Sequence, residues 1–301
     1  MRVILTGGSG MIGEALTRRL LAGGHEVVIL TRNPSRVQGL PPGASAAQWD
    51  ARSATGWGHL AEDAGIINLA GENISGGRWT PEMKDRMRDS RLDAGRAVVE
   101  AIEASARKPR VLVQASAVGY YGSRGNEALN EDSAPGGDFL ARLCVAWEAS
   151  TAPVEVMGVR RAVIRTAPLL STDDGALPRM MMPFRFFIGG KLASGRQWFP
   201  WIHVEDHVAA ICYLLENETA RGPFNLVSPK SITNAQFARA LGRAMHRPSA
   251  VPVPALALRV LYGELGDSLL ESQRVIPQKL LDAGFEFRFA DIEDALRDLL
   301  A

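Results

Sequence analysis

The chain opens with RVILTGGSGMIGEALTRRLLAGG, and the eight residues TGGSGMIG constrain the fold more than anything that follows. An apolar run with β-branched residues (2–6) leads into Gly7, Gly10 and Gly13 at three-residue spacing. Residues 11–24 then place Ile12, Leu16, Leu20 and Leu21 on one helical face. The first glycine permits a tight turn, the second lets backbone approach a pyrophosphate, and the third brings helix and strand together. The helix start offers free N–H groups, those of Met11 and Ile12 among them, and a positive dipole end. A glycine pattern alone is weak. Between a strand and an amphipathic helix it indicates a dinucleotide site.

The first half of the chain keeps this rhythm. Residues 25–32, 65–71, 110–116 and 159–167 read as strands, the 65–71 segment being the third of the chain. Helices are expected over 80–106, with Thr80 as N-cap and Pro81 in the first turn, and over 138–150. Continuous apolar strands separated by helices mean βαβ units and a parallel sheet covered on both faces. After residue 170 the pattern loosens. Residues 180–203, MMMPFRFFIGGKLASGRQWFPWIH, read as a pocket wall rather than a regular element; a helix (204–217), a strand (222–228) and another helix (233–245) follow. The expected fold is α/β, a Rossmann-type doubly wound parallel sheet with a smaller, irregular C-terminal substrate lobe. Residues 1–170 plus parts of 201–230 make the nucleotide-binding domain, and 171–200 with 231–301 make the lobe.

A net charge of +1 provides no global field for nucleic acid or an anionic membrane. No apolar run approaches the ~18 residues that span a bilayer, and the start lacks a signal-peptide cleavage site, so a cytoplasmic protein is expected. Cys144 and Cys212 are far apart and read as reduced packing residues, not as a disulfide or metal pair.

The end of the second strand selects the dinucleotide. An NAD site wants an acid there for the ribose 2′-OH. This chain has Thr31, Arg32 and Asn33, with no Asp or Glu before Asp50. Arg32, with Arg36 near it, can fork onto a 2′-phosphate, which points to NADP(H).

Further motifs run through the whole length: NLAGENISGGRW (68–79), SAVGYYG (116–122), GGDFLARLCVAWE (136–148), ASGRQWFPWIHVEDHV (193–208) and SQRVIPQKLLDAGFEF (272–287). With the glycine loop, they make the chain resemble the extended short-chain dehydrogenase/reductase superfamily, home of nucleotide-sugar epimerases and dehydratases, and more closely its epimerase family branch. The resemblance implies cofactor contacts at Asp50 near the adenine and at Asn68, Ala70 and Gly71 along phosphates and ribose. Glu72, Arg78 and Glu148 belong to the same cofactor side, and Pro168 marks where backbone meets the nicotinamide carboxamide. Relatives often pair through two long helices, which here start near Thr80 and Asp138; a homodimer is one open arrangement.

Active members of the superfamily use a Ser or Thr to bind the substrate oxygen, a Tyr to move the proton, and a Lys to lower the tyrosine pKa from ~10. Ser116 fits the first role. Where the Tyr and Lys belong, this chain offers Phe139 or Leu140, then Leu143 or Cys144. Tyr120 and Tyr121 are the remaining phenols near Ser116. His203, close to Asp206 in PWIHVED, could relay protons, although Asp206 as a helix cap and His203 as a packed ring is the commoner arrangement. Lys84 and Lys191 have no positional argument. The proton donor stays unassigned. Met180, Met181, Phe184, Gln197, Trp198, Trp201 and His203 are expected around a small-molecule substrate, with Arg196 available for an anionic group. The reading is of an NADP(H)-dependent oxidoreductase or epimerase acting on a small carbonyl or hydroxyl compound, with a non-enzymatic NADP(H) sensor as its rival.

Overall fold

Successive residues of the first strand feed opposite sides of a sheet: Val3 and Leu5 enter one core and Ile4 the other. This follows from the two-residue side-chain period of an extended chain. In the computed structural model, which describes residues 1–37 and 40–301, seven strands make that sheet. They are β1 (Arg2–Thr6), β2 (Glu26–Thr31), β3 (Ala44–Gln48), β4 (Gly65–Asn68), β5 (Val111–Ala117), β6 (Arg160–Thr166) and β7 (Gly222–Leu226). Their order is β7-β6-β5-β4-β1-β2-β3, and every pairing is parallel. The strand order reverses between β1 and β4, so the crevice beyond their carboxyl ends is the natural ligand site of such a sheet.

Helix α1 (Met11–Ala22) covers one face, through Leu16 and Leu20. On the other face lies α2 (Pro81–Ala104), with Ala94, Ala97, Val98, Ala101 and Ile102 buried. Thr80 caps α2, its side chain accepting from the Met83 N–H at 3.2 Å. Helix α3 (Phe139–Ala149) is capped by Asp138 and packs on α2 and β5. A separate core joins α4 (Ala176–Arg185), α6 (Asn234–Ala244) and α8 (Ile292–Leu300) through Leu177, Met181, Phe184, Phe237, Leu241 and Leu296. Between them in sequence lie α5 (Val204–Glu216), which returns to the sheet, and α7 (Ala255–Tyr262).

Three expectations need correction. The 65–71 segment is the fourth strand, because Ala44–Gln48 pairs along β2 as an edge strand. Its sequence, ASAAQ, lacks the β-branched run that marks a buried strand. Residues 176–185 form a helix inside the stretch read as a pocket wall. Leu177, Met181 and Phe184 sit at helical spacing, and Pro183 inside the helix obscures the pattern. Asp206 does not cap α5; His203 does, its Nδ1 accepting from the Glu205 N–H at 3.1 Å. Asp206 instead receives the backbone N–H groups of Arg288 and Phe289. Both cysteines are free thiols. No helix among the described residues is long and apolar enough to cross a membrane.

Candidate functional site

The turn between β1 and α1 takes its shape from its glycines. Gly7 has φ +68°, and a Cβ there would lie 3.2 Å from the Leu69 carbonyl. A Cβ on Gly13 would stand 2.4 Å from the Gly8 Cα, which no side chain permits. Gly10, the N-cap of α1, provides no side-chain cap. The N–H groups of Met11, Ile12 and Gly13 therefore begin a helix with no intrahelical partner. A Cβ on Gly10 would meet only the Gly7 carbonyl, at 3.5 Å. The turn thus fits a pyrophosphate: bare backbone, free donors and a positive helix end.

A buried polar string fixes the neighbouring strand ends. Thr6 Oγ1 donates to Asn68 Oδ1 at 2.7 Å, and Asn68 Nδ2 donates to Gln114 Oε1 at 2.9 Å. Thr6 Oγ1 also accepts from the N–H groups of Leu69 and Ala70. Asn68 is fully buried, so its side chain ties β1, β4 and β5 together and does not reach a ligand in the crevice. Ala70 and Gly71 follow at the more open edge.

Arg32 is exposed at the end of β2 and makes no hydrogen bond or ion pair among the described residues; the side chain of Arg36 lies outside them. Asp50 follows the end of β3 closely, but its carboxylate accepts from the Arg52 and Ser53 N–H groups and the Ser53 hydroxyl. Those bonds hold its pKa below the ordinary value. Glu72 is exposed. Arg78 donates to the carbonyls of Val260 and Leu261 in α7, a pairing that sequence spacing could not show. The Pro168 carbonyl accepts from the Ile202 N–H at 3.2 Å.

At the end of β5 a second cluster forms. Ser116 Oγ donates to Glu148 Oε1 at 2.6 Å. Arg165 forks onto the same carboxylate, Nε to Oε1 at 2.9 Å and Nη2 to Oε2 at 3.0 Å. Its Nη1 donates to the Tyr121 hydroxyl and the Glu131 carbonyl, while its plane lies 3.5 Å from the Tyr120 ring centroid. Tyr121 is fully buried and donates to Asn225 Oδ1 at 2.6 Å. Burial pushes its pKa up to about 12, against the opposing pull of Arg165. Tyr121 is therefore held as a neutral phenol between Arg165 and Asn225. Tyr120 is half-buried. The Glu148 oxygens accept from Arg165 and Ser116, so its carboxylate anchors this cluster. On α3, Leu140 and Cys144 face the Ser116 turn: a Cβ on Gly119 would meet them at 3.3 and 3.9 Å.

The expected substrate residues divide. Met181, Phe184 and Trp201 are buried in the α4–α6–α8 core, Trp201 also bordering a small enclosed space with Trp198 and Lys230. There the core reading wins over the pocket reading, because their helical and strand neighbours close over them. His203 is buried against Phe289, ring centroids 3.9 Å apart, with Nε2 3.4 Å from Asp298. Burial lowers its pKa despite that carboxylate. Gln197 and Trp198, with Arg196, do line an open cleft of about 640 Å³ shared with Asn126, Thr233 and Ser272.

Sequence reasoning passed over Arg91 and Arg165. Arg91 was detectable: it occupies the stripe Met83, Met87, Arg91, Ala94, Val98, whose other members are apolar, and an ionic residue on a core face is a signal in itself.

Residues 3–227 match the model of the NAD dependent epimerase/dehydratase family. The chain belongs to this family. Residues 253–299 match a second model, a domain of unknown function (DUF1731). The epimerase family protein YfhF of Bacillus subtilis is 38% identical over 302 residues, covering 100% of this chain and 98% of that protein. The mouse epimerase family protein SDR39U1 is likewise 38% identical, over the full length of both. The crystal structure of human SDR39U1 (isoform 2) with NADPH superposes with a TM-score of 0.90 at 35% identity, covering 100% of this chain and 99% of that one. The epimerase-family fold expected from the motifs is thus established, and with it the seven-stranded α/β sheet.

Proposed function

We propose that this family member binds NADP(H) across the carboxyl edge of its sheet and transfers hydride to or from a small carbonyl or hydroxyl compound. Residues 171–200 and 231–301 contribute the substrate side. Arg32 carries the reading: a free guanidinium stands at the end of β2 where an NAD site would carry an acid. The NADPH of the human relative supports the same choice.

Bound NADPH would supply the hydride; the chain's own part is to place the reacting groups. A carboxylate can only accept, so the Ser116 proton is held on Glu148 and Oγ presents lone pairs to a ligand. That suits a substrate hydroxyl or an amide N–H. Leu140 and Cys144 occupy the face where the Tyr–Lys pair would stand, and Tyr121 is locked at high pKa. The proton then comes from solvent or from an unconventional acid. The same locked phenol favours a second reading, an NADP(H)-binding sensor without turnover.

Calorimetry with NADPH and NADH, followed by a panel of aldehydes and ketones with NADPH, tests both. NADPH consumption abolished by Ser116→Ala supports the enzyme. Tight binding without turnover on a broad panel supports the sensor, and absence of binding by either dinucleotide removes both.

A further inference from the structure

Helix α4 ends in a turn that puts apolar side chains into water. The Ile188 N–H donates to the Pro183 carbonyl and the Phe187 N–H to the Phe184 carbonyl, each at 3.0 Å. This is the Schellman ending, whose left-handed position is ordinarily glycine. Phe187 occupies it with φ +62°, at a backbone strain that glycine would avoid. The ring gains little burial in return. Phe186, Phe187 and Ile188 are 67%, 58% and 56% exposed, and Met182, one turn earlier, is exposed as well. The tip is firmly held: a Cβ on Gly189 would run into the Phe184 ring, and one on Gly190 into the Val251 backbone. Val251, itself exposed, donates its N–H to the Gly189 carbonyl at 3.1 Å.

The charge around this tip has one sign. Residues 175–204 and 219–263 contain no Asp or Glu, and they hold four and six Lys or Arg. The overall charge of +1 conceals that segregation. Acids from other segments pair with Arg243, Lys230 and Arg259. Arg185, beside the tip, and Arg247 are exposed and make no ion pair among the described residues. The Arg247 Cζ lies 4.6 Å from the centroid of the Phe187 ring. A second copy of the chain seated here would set these arginines against one another. An anionic lipid surface does the reverse: its acyl boundary takes the apolar side chains and its headgroups take the guanidiniums. We infer that the tip 182–188 and its arginine collar are a peripheral docking surface for an anionic bilayer. Contact is with the surface of the bilayer, through a turn and not through a spanning helix.

Flotation of the full chain with vesicles tests this, using phosphatidylcholine alone and phosphatidylcholine with about 30% phosphatidylglycerol. The chain should bind the anionic vesicles at least about tenfold more tightly than the neutral ones, and salt should release it. Phe186→Ser with Phe187→Gly should cut binding about tenfold or more. Glycine suits the left-handed position, so this variant should melt within about 2 °C of the parent, which separates lost docking from lost folding. Arg185→Gln with Arg247→Gln should weaken binding by about fivefold for each cation. No binding to anionic vesicles, or binding that survives the phenylalanine substitutions, overturns the assignment. Capture by soluble polyglutamate but not by vesicles would give the surface to an acidic protein instead. A dimer in sedimentation that the phenylalanine substitutions abolish would give it to a second copy, and either result likewise overturns the lipid assignment.

Discussion

Replacing Arg165 by Met isolates the energy stored in the cluster beneath Ser116. Arg165 is 4% exposed and the Glu148 side chain 15%, so solvent screens little of their attraction. The substitution removes the two-pronged bond to Glu148, the bond to Tyr121 and the bond to the Glu131 carbonyl. It leaves Glu148 charged, with Ser116 as its one remaining partner in the cluster. Breaking a buried pair in this way costs about 3–5 kcal/mol. With an unfolding entropy of ~2.1 cal/mol/K per residue, 301 residues give about 0.6 kcal/mol/K, so the melting temperature should fall by about 5–8 °C. Scanning calorimetry at neutral pH measures this directly. Adding Glu148→Gln to the Met variant removes the stranded charge and should return at least half of the loss, which a mere packing defect would not allow. A fall below about 2 °C, or no recovery in the double variant, refutes the reasoning.

Arg32→Glu should weaken NADPH by about 10- to 100-fold and leave NADH bound as well as before or better; unchanged selectivity in a competition titration would remove Arg32 from the site. Gly13→Ala forces a Cβ to 2.4 Å from the Gly8 Cα, so a stability loss of about 1–3 kcal/mol should appear in urea melts, along with loss of dinucleotide binding. His207 is wholly buried beside Thr166, and burial lowers its pKa to about 4. The unfolded chain takes up that proton near ~6.5, so stability is full above that pH, falls as pH drops, and the loss saturates below about 4 at about 3 kcal/mol. His207→Gln should flatten this part of the pH–stability curve; an unchanged slope would mean that another group titrates there.

The main sheet was legible because a parallel sheet writes long apolar runs into its strands, as in GIIN and VLVQ, and because glycine, Thr80 and Pro81 mark turns and helix starts by local chemistry. Ala44–Gln48 was not, since an edge strand of small residues owes its conformation to pairing with β2. The lobe was harder still. Trp201 and Phe184 look alike whether they line a pocket or fill a core, and only the closing of α4, α6 and α8 decides it. Arg78 and Asp50 show a related limit: the resemblance implies a place for them beside a cofactor, but the partners of their side chains, in α7 and in a local turn, lie in no pattern of spacing.

Helix α3 carries neither Tyr nor Lys, and the cluster beside it makes the charge consequence specific. A lysine at position 144 would sit one helical turn from Glu148, on the face toward Ser116, and would compete with Arg165 for the same carboxylate. Arg165 already neutralises Glu148 with two bonds and holds Tyr121 by a third. Cys144 adds no charge there; burial raises its thiol pKa to about 11, so it stays protonated at neutral pH. What remains uncompensated is Arg91, behind Cys144 and beside Gly71. On the proposed reading, the cleft holds the dinucleotide without a tyrosine acidified by a neighbouring lysine. Turnover in this chain should accordingly show no pH break from a phenol near 10, and one that disappears in Tyr120→Phe would reverse that conclusion.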